Sequence, residues 1–232
     1  MRIDEGYPSP GALKRNELET LRYIKDSTVF QSFYRTLADD ASTYYFQLQN
    51  ASSLKFVSQI DICLDPRSGK MGNAYIGFDI DSRNGRYSQV TYSLAIISKD
   101  RTHHRLLRKF HFDYALPDVP GRHPHPVFHL QYGGGIFAPL TQLRLKHAHL
   151  DHWLSEPRLC FMPMSFALLI NIVFKEFPEQ KAINLIERSE WRELIRKNEK
   201  LFLIPYFKSC HTFMNALNDL GKLLTNDFYY GN

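Results

Sequence analysis

The spacing of apolar positions changes twice along the chain. In GALKRNELETLRYIK, Leu13, Leu18, Leu21 and Ile24 fall on one helical face, and Pro10 stands where the first turn of a helix tolerates it. A second helical pattern runs through VFQSFYRTLADDASTYYFQLQ, so residues 1–52 are predicted helical. From about residue 53 the period falls to two. Strands are predicted for LKFVSQIDICL (54–64), AYIGFDID (74–81), YSQVTYSLAII (87–97), LLRKFHFDY (106–114) and PVFHLQY (126–132). DPRSGKMGN and SRNGR separate the first three, and Asn84-Gly85 is a strong signal for a two-residue hairpin.

Beyond residue 135 the helical period returns. A His-rich connection over 136–162 ends in RLCFMPM, which suits either a sixth strand or a lead into a helix. Ser165 is placed to cap the apolar helix FALLINIVFKEF, which Pro178 stops, and further amphipathic helices are predicted near 179–198 and 205–224. Helices, then a meander, then helices predict an α+β fold. Its antiparallel β-meander of about five strands spans 53–135, with N-terminal helices and a C-terminal helical layer, 163–232, on its apolar face. No linker-like stretch divides the chain, so residues 1–232 are expected to form one domain.

Alternation sorts the strand residues into two faces. Phe56, Ile60, Ile62, Ile76, Phe78, Ile80, Phe110, Phe112, Tyr114, Phe128, Leu130 and Tyr132 go to an apolar face. Asp61, Asp79, Asp81, Lys109, His111, Asp113, His129 and Gln131 gather on the other. The plainer reading of that second face is an antiparallel surface left in water. Aspartate is depleted from strands, however, so several strand aspartates beside paired histidines call for a further explanation.

Composition narrows the setting. The formal net charge is +5, and it is not spread evenly: residues 101–152 carry seven basic against three acidic side chains and nine of the ten histidines. A basic segment interleaved with aromatics points to a nucleic-acid partner, RNA or DNA, with Arg105, Arg108, Lys109, Arg122, Arg144 and Lys146 as the candidate contacts. Three widely spaced cysteines, Cys63, Cys160 and Cys210, form no disulfide framework and favour a reducing cytoplasm. The opening MRIDEGYPSPGALKRNE has no apolar core of the signal-peptide kind, and FALLINIVF is too short for a bilayer, so no membrane is expected.

Two histidines and an acid on neighbouring strands suit metal-free RNA cleavage. One imidazole takes the 2′-hydroxyl proton and the other protonates the leaving oxygen, so His111, His129 and Asp113 are the candidate catalytic residues. Lys109 or Arg108 would supply charge at the phosphate. Metal alternatives are weaker: His123, His125, His147, His149 and His152 lack the matching ligand spacing for zinc, and Asp61, Asp79, Asp81 and Asp113 lack an accompanying nuclease motif for magnesium. Gly133-Gly134-Gly135 has neither a Walker nor a GxGxxG context and reads as a turn. The sequence therefore assigns neither a metal nor a cofactor.

Phe110-His111-Phe112-Asp113-Tyr114, then His125-Pro126-Val127-Phe128-His129-Leu130, then Pro157-Arg158 and Pro163-Met164-Ser165 before an apolar helix ending in Phe177, carry a resemblance. Over about 105–177 the chain resembles an uncharacterised bacterial family with an aromatic-His-x-Asp-Tyr strand and a His-Pro-x-x-His strand, associated with mobile-element and phage-defence neighbourhoods. The resemblance implies a bacterial accessory or effector protein and transfers no catalytic residue. The expected function is binding of nucleic acid or of a nucleic-acid-processing partner. A metal-independent ribonuclease and a purely protein-interacting module are the alternatives. The aromatic stripe of LFLIPYFKSCHTFMNALNDLGKLL, with DFYY after it, is broader than one buried helix face needs, so a protein partner or self-association through residues 202–230 is also expected.

Overall fold

The structure is a computed structural model, and it describes residues 7–26, 53–99, 104–114, 127–133, 158–178 and 180–216. Helix α1 (Pro10–Asp26) comes first; the second helical pattern of the sequence lies outside the described residues. Six strands follow: β1 (Ser53–Asp65), β2 (Lys70–Arg83), β3 (Arg86–Lys99), β4 (His104–Tyr114), β5 (Phe128–Tyr132) and β6 (Arg158–Cys160). They form one sheet in chain order, every pairing antiparallel. The α+β meander is as expected, with a sixth strand beyond the five predicted over 53–135. RLCFMPM does both of the things its pattern allowed, pairing through Arg158–Cys160 and then leading into a helix.

Local chemistry fixes the first hairpins. Asn84 and Gly85 both take positive φ, 50° and 73°, between the paired Arg83 and Arg86, the conformation a right-twisted two-residue hairpin requires. In the turn before β2 the Asp65 carboxylate accepts from the Arg67 amide at 2.9 Å and the Ser68 hydroxyl at 2.6 Å. The next helix, α2 (Phe166–Glu176), starts at Ser165, whose hydroxyl accepts from the Leu168 amide at 3.3 Å.

The C-terminal layer departs from the expected pattern in two places. The single helix expected over 179–198 is two, α3 (Gln180–Ile186) and α4 (Ser189–Asn198), broken at Glu187 and Arg188. The amphipathic period continues across that break, which is why periodicity alone merges the pair. Helix α4 then runs through a π-turn, Glu199–Leu203, directly into α5 (Ile204–Ala216). Pro205 supplies the reason: it has no N–H to donate, and its ring would press on the carbonyl four residues back in a regular helix. The wider turn, in which the Ile204 amide reaches the Glu199 carbonyl, relieves that clash.

The core lies between the helices and one sheet face. Phe56, Phe78, Ile80, Tyr92 and Leu94 pack against Leu13, Leu21 and Ile24 of α1, Phe166, Ile170, Val173 and Phe174 of α2, and Trp191, Leu194 and Ile195 of α4. The Phe166 ring stands edge-on to Phe56 at 5.4 Å and to Phe78 at 5.1 Å, joining α2 to the first two strands. Each large apolar side chain withdrawn from water here contributes about 1.5 to 3 kcal/mol. Among the described residues no helix is long and apolar enough to cross a membrane.

A carboxyl group sits inside this core. Glu17 is fully buried on α1, between Leu13 and Leu21 in the stripe. Its Oε1 accepts from the Tyr92 hydroxyl of β3 at 2.8 Å, and its Oε2 from the Phe166 amide at the start of α2 at 3.2 Å. Beside it Asn16 donates to Asn198 of α4 at 2.9 Å, and Asn198 donates to the Leu194 carbonyl at 2.9 Å. Burial lifts the Glu17 pKa from 4.5 to about 7, against the downward pull of the hydrogen bonds from Tyr92, Phe166 and Asn16.

The sign of the resulting pH dependence follows. Below about pH 4.5 the acid is neutral in both states and its contribution to the fold is complete. Between pH 4.5 and 7 the unfolded chain ionises first, so stability falls as pH rises, then levels off above 7. The span corresponds to about 3 kcal/mol. Denaturant midpoints measured from pH 4 to 8 are expected to show that fall in the wild type and to lose it in Glu17→Gln. An equal slope in both proteins would rule this carboxyl out as its source.

Candidate functional site

Strands β3, β4 and β5 build the second face. The β3–β4 register sets Ser93 opposite His111 and Thr91 opposite Asp113, and the β4–β5 register sets Asp113 opposite His129 and His111 opposite Gln131. Opposed residues share a face, so Ser93, Lys109, His111, Asp113, His129 and Gln131 form one group. Two polar contacts are direct. Ser93 Oγ and His111 Nδ1 are 2.8 Å apart, and His129 Nε2 lies 3.5 Å from Asp113 Oδ2. His111 and His129 are therefore diagonal rather than opposed, at a separation of about 7 to 8 Å between their Cα atoms.

The face is not the open, solvated surface that alternation suggested. Lys109 is 1% exposed and His129 4%, and Asn73, Ser93 and Ser98 are buried as well. His111, Asp113 and Gln131 are half-buried. A protein of this size can bury both faces of a sheet, and a sequence that alternates does not say whether the polar side is also covered. Burial lowers the Lys109 pKa from 10.5 to about 8, so its ammonium can give up a proton near neutrality.

The other candidates divide by position. Arg105 and Arg108 are exposed on β4, whereas Lys109, between them and His111, turns inward. Arg122, Arg144 and Lys146 lie outside the described residues, as do His123, His125, His147, His149 and His152. The four strand aspartates do not converge. Asp61 accepts from Asn73 at 2.7 Å, and Asn73 stands six residues along β2 from Asp79, a span of about 20 Å. Asp79 and Asp113 flank Thr91 from either side, two strand spacings apart, about 10 Å. Among the described residues no group of three or more His, Cys, Asp or Glu side chains is arranged to hold a metal ion.

Residue-by-residue reading of the sequence missed Ser93, the partner of His111. Its signal was obscured because the β3–β4 pairing contains an irregularity between Ile96 and Ile97, and no turn motif specifies the register across 100–103. No family model matches the chain, and neither a curated protein nor a solved structure has significant similarity to it.

Lys109 offers a direct check on this geometry. Between pH 8 and 10.5 the unfolded chain holds the Lys109 proton more firmly than the folded one, so raising the pH through that window stabilises the fold. Competitive amine labelling with peptide mapping is expected to give a Lys109 midpoint near 8. A Lys109 midpoint no lower than that of the exposed lysines would contradict the burial.

Proposed function

We propose that the protein binds nucleic acid and that the second face of its sheet cleaves RNA without a metal. The carrying observation is the register that brings the Ser93–His111 and Asp113–His129 pairs side by side next to Lys109. His129, beside the Asp113 carboxylate, fits the acid that protonates the leaving 5′ oxygen. His111, oriented through Ser93, fits the base that removes the 2′-hydroxyl proton, and Lys109 balances the charge gathering on the phosphate. The 2′ oxygen then attacks phosphorus, the bond to the 5′ oxygen breaks, and a cyclic phosphate remains. Exposed Arg105 and Arg108 stand opposite Ser98 and Ile96, toward the other side of the sheet, and would bind nucleic-acid phosphates outside the cleavage face.

A second reading keeps the binding and drops the chemistry. It is favoured by the exposure of Arg105 and Arg108 against the near-complete burial of His129. On either reading the resemblance over 105–177 supports a bacterial cytoplasmic accessory or effector role, phage defence included. Ile204 and Phe207 support the expected protein contact through 202–230, since they are 44% and 56% exposed on α5.

Cleavage of single-stranded RNA is expected to survive EDTA, follow a bell-shaped pH profile and fall by about 10² to 10⁴ in His111→Ala and in His129→Ala. Full activity in both folded variants excludes the site. No cleavage by the wild type, with binding that weakens steeply in salt and in the Arg105→Ala/Arg108→Ala double variant, selects the second reading. Absence of both at low salt removes nucleic acid altogether. Sedimentation velocity tests the α5 surface: concentration-dependent self-association in the wild type should be reduced in Phe207→Ser. A monodisperse monomer throughout, with no partner retained on native purification, ends that proposal.

A further inference from the structure

The apolar face of the sheet comes out into solvent at its β4–β6 margin. Phe112 of β4 is 9% exposed and lies 5.2 Å, centroid to centroid, from Phe161, whereas Tyr132 at the end of β5 is 43% exposed and Leu159 of β6 is 46%. The register sets Phe110 opposite Tyr132, Phe112 opposite Leu130 and Leu130 opposite Leu159, so these side chains share one face. The Phe110 and Tyr132 rings meet edge to face, with centroids 4.9 Å apart and planes at 61°. Just past Tyr132 the pairing closes: Gly133, at φ 83°, donates its amide to the Lys109 carbonyl at 3.2 Å. In the direction of its own start, β4 extends beyond this point and carries two exposed arginines. Arg108 opposes Ile96, a member of the core beneath the helices, and Arg105 opposes Ser98, two residues on. The irregularity between Ile96 and Ile97 is what brings two residues three apart in the chain to the same face, the face of the rings and not that of His111 and His129. Arg108 stands two residues from Phe110, about 7 Å along the strand.

We propose that this margin is a stacking platform for single-stranded nucleic acid, an inference that rests on the nucleic-acid reading above and gives it a surface separate from the histidine face. An unpaired base presents a flat π-face, and the open side of the Tyr132 ring receives it, with Phe110 bracing that ring from the neighbouring strand and Leu159 extending the apolar ground beside it. The sugar-phosphate backbone of the same strand runs toward the start of β4, where Arg108 and Arg105 meet its charge. Charge complementarity decides the kind of partner. Asp113 is the one acidic residue of β4, β5 and β6, and it faces the other way, so the rings are flanked by two guanidinium groups with no carboxylate from these strands between them. That pattern suits a polyanion better than a protein surface of mixed charge. In a duplex each base is covered above and below by its neighbours, so the platform selects unpaired strands.

The test measures binding of the full chain to fluorescein-labelled oligothymidylate, to an abasic strand of the same length and to a duplex. Oligothymidylate has no 2′-hydroxyl, so the cleavage chemistry proposed for the histidine face cannot act on it. The expected order is oligothymidylate well ahead of the other two, by about 10-fold or more over the abasic strand, which keeps every phosphate and loses every base. Tyr132→Ala should weaken oligothymidylate binding by about 5- to 100-fold and Tyr132→Phe should restore it, while Arg105→Ala/Arg108→Ala should flatten the slope of log affinity against log salt by about 1.4. A crosslinking measurement needs no variant: 5-iodouracil placed in the strand and irradiated on the wild-type protein is expected to attach to the peptide that contains Tyr132. Equal affinity for the abasic strand together with no effect of Tyr132→Ala, but loss in the arginine variant, keeps nucleic-acid binding and overturns the platform. Crosslinks confined to peptides that lack Phe110 and Tyr132 overturn it as well. No binding to any of the three at low salt removes the platform and the nucleic-acid reading together, and a protein partner lost in Tyr132→Ala, with no oligothymidylate bound, assigns the surface to protein contact instead.

Discussion

The helical layer is registered on the sheet through a single buried carboxyl group. Glu17 takes a hydrogen bond from Tyr92 in β3 and another from the first amide of α2, and its neighbour Asn16 reaches Asn198 in α4. Apolar contacts between helices and a sheet are tolerant of sliding by a fraction of a turn, because one methyl group serves nearly as well as the next. Directional hydrogen bonds are not. A buried carboxyl that loses a partner is left with an unmet desolvation penalty, so this network selects one arrangement of α1, α2, α4 and β3 from those the core would accept. Glu17 also occupies the positive end of α2, where the unpaired amide of Phe166 would otherwise be stranded in the interior.

The sheet bears a different constraint. Strands in chain order give it two faces of different burial: one lies under the helices, and on the other Lys109, Ser93 and His129 are withdrawn from water while Asp61 stays exposed. Burying an amine and an imidazole is costly, and the protein meets that cost with partners rather than with exposure. His129 faces Asp113 and His111 faces Ser93, so the polar side chains are organised in pairs across neighbouring strands. A face built for solubility alone would not need such pairing.

Toward the C-terminus, α4 runs into α5 through a π-turn that accommodates Pro205. The wider turn leaves Phe202 wholly buried while Ile204 and Phe207 stay exposed. It also carries Tyr206 and Cys210 to the β5–β6 end of the sheet. A local backbone necessity therefore decides which side chains of an unusually apolar segment reach the core and which remain at the surface.

Much of this was written in the sequence. Period-two alternation located the first five strands, Asn84-Gly85 fixed the β2–β3 turn, and Ser165 marked the start of α2, because each depends only on neighbours a few residues away. The membership of the polar face was equally legible: His111, Asp113 and His129 share a side by parity alone. Even Glu17 left a local mark, four residues from both Leu13 and Leu21 in an apolar stripe, although nothing nearby said what would receive it. Tertiary structure decided the rest. Parity does not set register, so only the pairing of β3 with β4 and β5 could give His111 to Ser93 and His129 to Asp113. Burial is likewise a property of what packs above a residue, and this is why Lys109 is buried although Arg108, next to it in sequence, is exposed.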